Sequence, residues 1–157
     1  VAELDQMKLL EGQAMFSDLL GRFQLIEEKS CTIRELTGGA LLAYQDRLLG
    51  RLRELLSNVQ IDQSRLLQEA AFYVERSDIS EEVTRLSSHV EQAKALLDAG
   101  SDVGKTLDFL LQEMNREANT ILSKSTGLTG SGLEIANLAI LIKTEVEKIR
   151  EQVQNVE

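Results

Sequence analysis

Apolar or small residues recur at Leu9, Gly12, Phe16, Leu19, Phe23, Ile26, Ser30 and Ile33, alternately three and four positions apart. On a helix of about 3.6 residues per turn this spacing draws a single lengthwise seam, the mark of a helix that packs along a partner. The pattern meets Gly38 and Gly39, and each glycine costs about 1 kcal/mol in a helix interior. A bend near 37–39 is therefore expected, followed by a second helix over about 40–56 with the stripe Leu41, Tyr44, Leu48, Leu52 and Leu55. Beyond a connector at 57–60, Asp62 is placed to cap a helix reaching about Arg76, with Leu66, Ala70, Phe72 and Val74 available for burial. Ser77 or Asp78 caps the next helix, whose stripe is Ile79, Val83, Leu86, Val90, Ala93 and Leu97 and whose end is marked by Ala99 and Gly100. Asp102 opens another, carrying Leu107, Leu110, Leu111, Met114, Ala118, Ile121 and Leu122 and ending near Ser125. The stretch 126–132, with Gly127, Gly130 and Gly132, reads as a flexible loop. A last helix over 133–157 sets Ile135, Leu138, Ile142, Val146, Ile149, Val153 and Val156 in near-heptad register. No strand-like alternation interrupts this series. The expected fold is all-α, with long antiparallel helices and helical hairpins joined by coiled-coil-like seams and no β-sheet. Residues 1–57 form its long helical part, and 58–125 form a three-helix segment.

Composition supports this picture. Roughly eight prolines are usual in a chain of 157 residues, and this one has none. A hydrophobic fraction of 43% supplies a core, and Cys31, the one cysteine, excludes an internal disulfide and reads as an inert thiol in a reducing compartment. The longest apolar run, 138–142, falls far short of the roughly 20 residues that span a bilayer. With no basic-then-apolar leader either, no membrane partner is expected and the cytoplasm is the simplest location. The chain begins at Val1, already inside an amphipathic pattern, so it is expected to be a piece of a longer protein.

Charge narrows the functional classes. The net charge is −9, divided as −2 over 1–57, −5 over 58–124 and −2 over 125–157. A protein gripping many phosphates carries a basic stripe, and no segment here does. Contact with RNA would be local, metal-bridged, or shared with residues outside this chain; a DNA-binding role is not expected.

Two polar stripes stand out. Asp78, Glu82, Arg85 and His89 are spaced four, three and four apart along one flank of their helix. Such a stripe offers carboxylates and an imidazole to a metal, or is an ordinary ion-paired face. On the following helix Glu113, Glu117, Thr120 and Lys124 share one side. Carboxylates one turn apart can hold Mg²⁺ or Mn²⁺ and leave waters to be activated, while Arg116 and Lys124 can neutralise a phosphate. Asn119, Thr120 and Ser123 are poor helix formers clustered there. Other site types are absent: no Glu-x-x-His pair for a di-iron bundle, no cysteine and histidine set for zinc, and no Lys-Ser or Lys-Thr after the glycines of 127–132. His89 is the only histidine, so any histidine-dependent proton transfer falls to it.

The run LDFLLQEMNREANT over 107–120, followed by SKS over 123–125, resembles the C-terminal signature of the YicC-like family of bacterial proteins. So do RSDISEE over 76–82 with Arg85-Leu86 and Ser88-His89, the ending EKIREQVQNVE over 147–157, and the Glu11-Gly12 pair. The resemblance implies the helical C-terminal domain of a divalent-metal-dependent endoribonuclease that assembles as a homohexamer and carries a further N-terminal domain. Because the matching strings fall on both polar stripes, a functional role for them is expected, with individual parts assigned by hypothesis. Glu113 and Glu117, with Asp78 or Glu82 from the facing helix, would bind Mn²⁺ or Mg²⁺. Arg116 and Lys124 would contact the scissile phosphate, His89 would move a proton, and Arg85 and Asn119 would bind RNA. The alternative is a non-catalytic helical scaffold or oligomerisation arm that positions RNA or a protein, its polar stripes serving as salt bridges between helices.

Overall fold

A computed structural model describes residues 2–56, 62–99, 104–128 and 130–155, apart from the side chains at 2–5, 7–9, 40, 41, 44, 56, 63, 66 and 73. These residues form five helices and no strand: α1 (Ala2–Leu56), α2 (Gln63–Ser77), α3 (Ser80–Ala99), α4 (Gly104–Ser125) and α5 (Gly132–Gln154). The fold is all-α, as expected. None of the described helices is long and apolar enough to cross a membrane.

Four helices close into a ring in which α1 touches α3 and α5, while α4 touches α3 and α5. Side-chain pairs fix their directions. Asp18 meets Gln152 and Arg22 meets Glu145, so α1 and α5 run antiparallel. Asp108 meets Arg150 and Asn115 meets Glu147, which makes α4 and α5 antiparallel as well. Arg85 meets Glu117 and Lys124 meets Glu82, which does the same for α3 and α4. The result is an antiparallel four-helix bundle.

The seams read from the sequence fill its core. Leu19, Phe23, Ile26 and Ile33 from α1 pack with Ile79, Val83, Leu86, Val90 and Ala93 from the α3 segment. Leu107, Leu110, Leu111, Met114, Ala118 and Ile121 come from α4, and Ile135, Ala139, Ile142, Val146 and Ile149 from α5. Two hydroxyls lie inside this seam, and both find partners in their own helix: Ser30 donates to the Ile26 carbonyl and Thr37 to that of Ile33, each at 2.7 Å.

Three local expectations change. α1 continues through Gly38 and Gly39 as one 55-residue helix, so the two helices anticipated there are one. Both glycines are exposed and keep negative φ; the ladder tolerates them at a propensity cost without breaking. Phe72, expected in the core, is 57% exposed and lies under the Arg76 guanidinium at 5.8 Å from its ring centre. It belongs to a hairpin formed by the C-terminal part of α1 with α2, outside the bundle, where Leu42, Leu49, Leu55 and Leu67 are exposed too. After α4 the chain turns tightly over 126–128 rather than loosening: Leu128 is buried and donates its amide to the Ser125 carbonyl, and Gly130 supplies the one positive φ among the described residues, +84°. The anticipated helix signals at 57–60, Gly100 and Asp102 lie outside the described residues, as does Val156.

Candidate functional site

The α3/α4 seam brings both polar stripes together, and its antiparallel register decides which members meet. His89 lies ten residues before the end of α3 and Glu113 nine residues after the start of α4, so they face each other across the seam. One ligand atom each from His89, Glu113 and Glu117 lies within 4.8 Å of the other two. Glu117 is 6% exposed, and the Nδ1 of His89 is buried without a hydrogen-bond partner. Opposite ligands of an octahedral Mg²⁺ stand about 4.2 Å apart, so a small closure of these three side chains would bring them to coordination distance. Two carboxylates and an imidazole gathered at one seam form a donor set that a divalent cation can use.

Asp78 and Glu82 do not join that group. Asp78 lies just before α3, whose first residue is already nine positions, about 14 Å at ~1.5 Å per residue, from His89. Its carboxylate is engaged at the start of α3, where it accepts from both the backbone N–H and the hydroxyl of Ser80. These bonds, the hydroxyl first, hold its pKa below the ordinary aspartate value. Glu82 is buried, and its Oε1 accepts from Lys124 Nζ at 3.0 Å and from Arg85 Nη2 at 3.2 Å. Its Oε2 is buried with no partner. Lys124 also donates to the backbone carbonyl of Asp78 at 2.8 Å, pinning the start of α3 to the end of α4.

Arg85 links the two halves of the seam. Its Nε donates to Glu117 Oε1 at 2.8 Å and its Nη2 to Oε2 at 3.0 Å, a two-pronged clamp on one carboxylate. Nη1 reaches Glu81 at 3.2 Å. Glu117 chiefly, through this clamp, raises the affinity of Arg85 for its proton. Arg116 stands at the rim, 76% exposed, with Nη1 3.9 Å from Glu113. Asn119 is exposed. The sequence stripes thus resolve into an ion-pair ladder (Glu82, Lys124, Arg85) beside the capping carboxylate of Asp78 at one end and a carboxylate–imidazole cluster (His89, Glu113, Glu117) further along the seam.

A second polar network was not singled out from the sequence. Arg22 on α1 donates to Asp18 at 2.8 Å and to Glu145 on α5 at 2.7 Å; Lys148 also meets Glu145, and Gln152 donates to Asp18. Beside it lies an open cleft of about 620 Å³ lined by Ala14, Ser17, Asp18, Gly21, Arg22 and Glu145. Its signal was available as two intrahelical charge pairs, Asp18 with Arg22 and Glu145 with Lys148, on facing seams.

Fold and cluster together define a helical-bundle protein whose one imidazole and paired carboxylates gather at a seam between antiparallel helices. The chain belongs to the YicC-like endoribonuclease family: residues 33–157 match the family described as Endoribonuclease YicC-like, C-terminal. It is 40% identical over 156 residues to a probable endoribonuclease YicC of Clostridioides difficile, covering 99% of this chain and 52% of that protein. With a probable endoribonuclease YicC of Haemophilus influenzae it shares 33% identity over 151 residues, 96% of this chain and 50% of the relative. The chain therefore spans about half the length of these curated relatives.

Proposed function

We propose that this chain is the ion-holding helical part of a divalent-metal-dependent endoribonuclease that cleaves RNA phosphodiester bonds in the cytoplasm. One observation carries the reading: His89, Glu113 and Glu117 present three ligand atoms within 4.8 Å of one another, with the imidazole Nδ1 buried and unpaired. Membership of an endoribonuclease family supplies the reaction class. A mixed nitrogen and oxygen set suits Mn²⁺ better than Mg²⁺, which favours oxygen ligands alone. A bound divalent cation would supply Lewis acidity toward a phosphoryl oxygen and an acidified water.

The residues around it take distinct parts. Glu113 and Glu117 hold the ion through carboxylate oxygens one helical turn apart. His89 adds a neutral nitrogen ligand, and this replaces the proton-carrying role expected for it. Arg116, exposed beside Glu113, would meet a phosphate, and Asn119, exposed one turn further on, the sugar-phosphate backbone. Lys124, tied to Asp78 and Glu82, holds the helix ends in register. With a net charge of −9, this chain lacks the broad basic surface that binds RNA at length. The rest of the phosphate grip belongs to the remainder of the protein or to further copies of it. Exposed Leu42, Leu55, Leu67 and Phe72 on the projecting hairpin support assembly into a homo-oligomer, for which a hexamer is the family expectation.

The test is Mn²⁺-dependent cleavage of a structured RNA by the full-length protein. A Glu113→Ala, Glu117→Ala double variant is expected to lose about 100-fold or more in rate, and Mn²⁺ should no longer raise its melting temperature. Wild-type cleavage by that variant would remove these residues from catalysis. A scaffold role is the second reading, favoured by the way Arg85, Lys124, Glu82 and Glu117 satisfy one another. It gains if Mn²⁺ leaves the melting temperature of the unaltered protein unmoved.

A further inference from the structure

Glu117 is claimed twice. It belongs to the cluster with His89 and Glu113, yet both of its oxygens accept from Arg85, at 2.8 and 3.0 Å. A carboxylate buried this deeply needs a counter-charge, and Arg85 provides it. A divalent cation arriving at the same carboxylate meets that guanidinium as a like charge across one functional group, in a setting where screening by water is reduced.

The structure also holds a place for Arg85 to go. Glu82 Oε2 is buried and has no hydrogen-bond partner, while Oε1 of the same carboxylate already accepts from Arg85 Nη2 at 3.2 Å. Lys124 holds Glu82 in place at 3.0 Å, so the acceptor is fixed before Arg85 moves. Glu81 meets the guanidinium at 3.2 Å, and the Arg85 side chain is 45% exposed, so it is not locked inside the core. Moving the fork from Glu117 to Glu82 trades one pair of acceptor oxygens for another and satisfies an acceptor that is otherwise left unpaired.

We infer that Arg85 is a displaceable counter-ion: it clamps Glu117 when the cluster carries no ion and transfers to Glu82 when a divalent cation joins His89, Glu113 and Glu117. This rests on the metal-site reading above and adds to it the reason Glu82, which lies outside the cluster, is built into the seam. Arg85 is thus a positioning residue that sets the threshold for ion loading. A simple supporting role predicts the opposite sign, because losing a residue that merely orients a ligand weakens metal binding.

The experiment is calorimetric titration of the full chain with Mn²⁺ alone. Arg85→Gln should bind Mn²⁺ about tenfold more tightly than the unaltered protein, within the range typical of coupled sites. Arg85→Lys should fall between the two, since an ammonium keeps the charge but cannot fork across both oxygens; it also keeps the test open should the glutamine variant fail to fold. Glu82→Gln should weaken binding about fivefold, and that weakening should vanish when combined with Arg85→Gln, because the partner it acts through is gone. Equal or weaker binding by both Arg85 variants overturns the inference, as does a Glu82→Gln effect that persists in the double variant. Absence of Mn²⁺ binding by the unaltered chain removes the metal-site reading itself; binding without the Arg85 gain removes the counter-ion role alone.

Discussion

Replacing Gly38 and Gly39 with alanine tests whether α1 is one rod. Both glycines are exposed, both have negative φ, and an added Cβ meets no atom within 4 Å at either position. Nothing in the structure therefore opposes a methyl group, and the gain is the difference in backbone freedom, roughly 0.5–1 kcal/mol per site. Together the two changes should add about 1–2 kcal/mol. For a chain of this length 1 kcal/mol moves the melting temperature by about 2–4 °C, so a rise of roughly 2–8 °C is expected by far-ultraviolet circular dichroism. Amide exchange should slow in α1 beyond residue 39, because the alanines remove the weak link between the bundle and the hairpin. A double variant that melts at or below the unaltered protein would refute the reasoning, showing that the glycines serve a flexed state that alanine penalises.

Other outcomes follow from the same geometry. Gly132→Ala should lower stability by about 1–3 kcal/mol in the same melts, because its Cβ would stand 2.6 Å from the Ser125 carbonyl oxygen and 3.3 Å from Leu128 Cβ; an unchanged melting temperature would mean that the α4–α5 turn yields freely. Phe23→Ala, at a fully buried core position, should cost about 3–5 kcal/mol in urea unfolding, while Leu133→Ala, at 75% exposure, should cost almost nothing; equal losses would contradict the assignment of the core. Burial alone would raise the Glu145 pKa, but Lys148 and Arg22 outweigh it and hold the group below its ordinary 4.5. A carboxylate of this kind binds fewer protons folded than unfolded, so its stabilisation is complete above about pH 4.5 and drains as pH falls through the folded value. Glu145→Gln should therefore flatten the acid limb of stability against pH, and identical limbs would deny the Arg22–Glu145 pair its role.

The bundle was legible because its seams obey one rule. Ile79 with Val83, Leu86 and Val90 of α3, like Ile135, Ala139, Ile142, Val146 and Ile149 on α5, are apolar at three- and four-residue steps and are all buried. The hairpin was misread for a related reason. Phe72 sits on an amphipathic helix, and periodicity names the apolar face without saying whether anything covers it. Gly38 and Gly39 misled because propensity is a local cost, and the helical residues on both sides outvote it. At the site, residue types were readable but partners were not. Grouping Asp78 and Glu82 with Glu113 and Glu117 treated the facing stripes as interchangeable along their length. The short link between α3 and α4 already implied a register placing residue 89 opposite 113 and residue 78 opposite 124, and that register joins His89 to the carboxylates. The Arg22–Glu145 network required knowing that α1 and α5 are neighbours, which no single helix reveals.

The unbroken length of α1 has a geometric consequence. At ~1.5 Å per residue its 55 residues reach about 80 Å, and Leu19 through Thr37 are keyed into the bundle while the same spiral carries on into the hairpin. Azimuth is consequently counted in residues. One amino acid inserted between Thr37 and Leu42 would swing the whole outrigger by about 100° around the axis, whereas removing seven would restore its compass bearing and merely draw it in by about 10 Å. Whatever the outrigger touches is aimed by arithmetic along a single spiral, and indels there should be accepted only in multiples that preserve its phase.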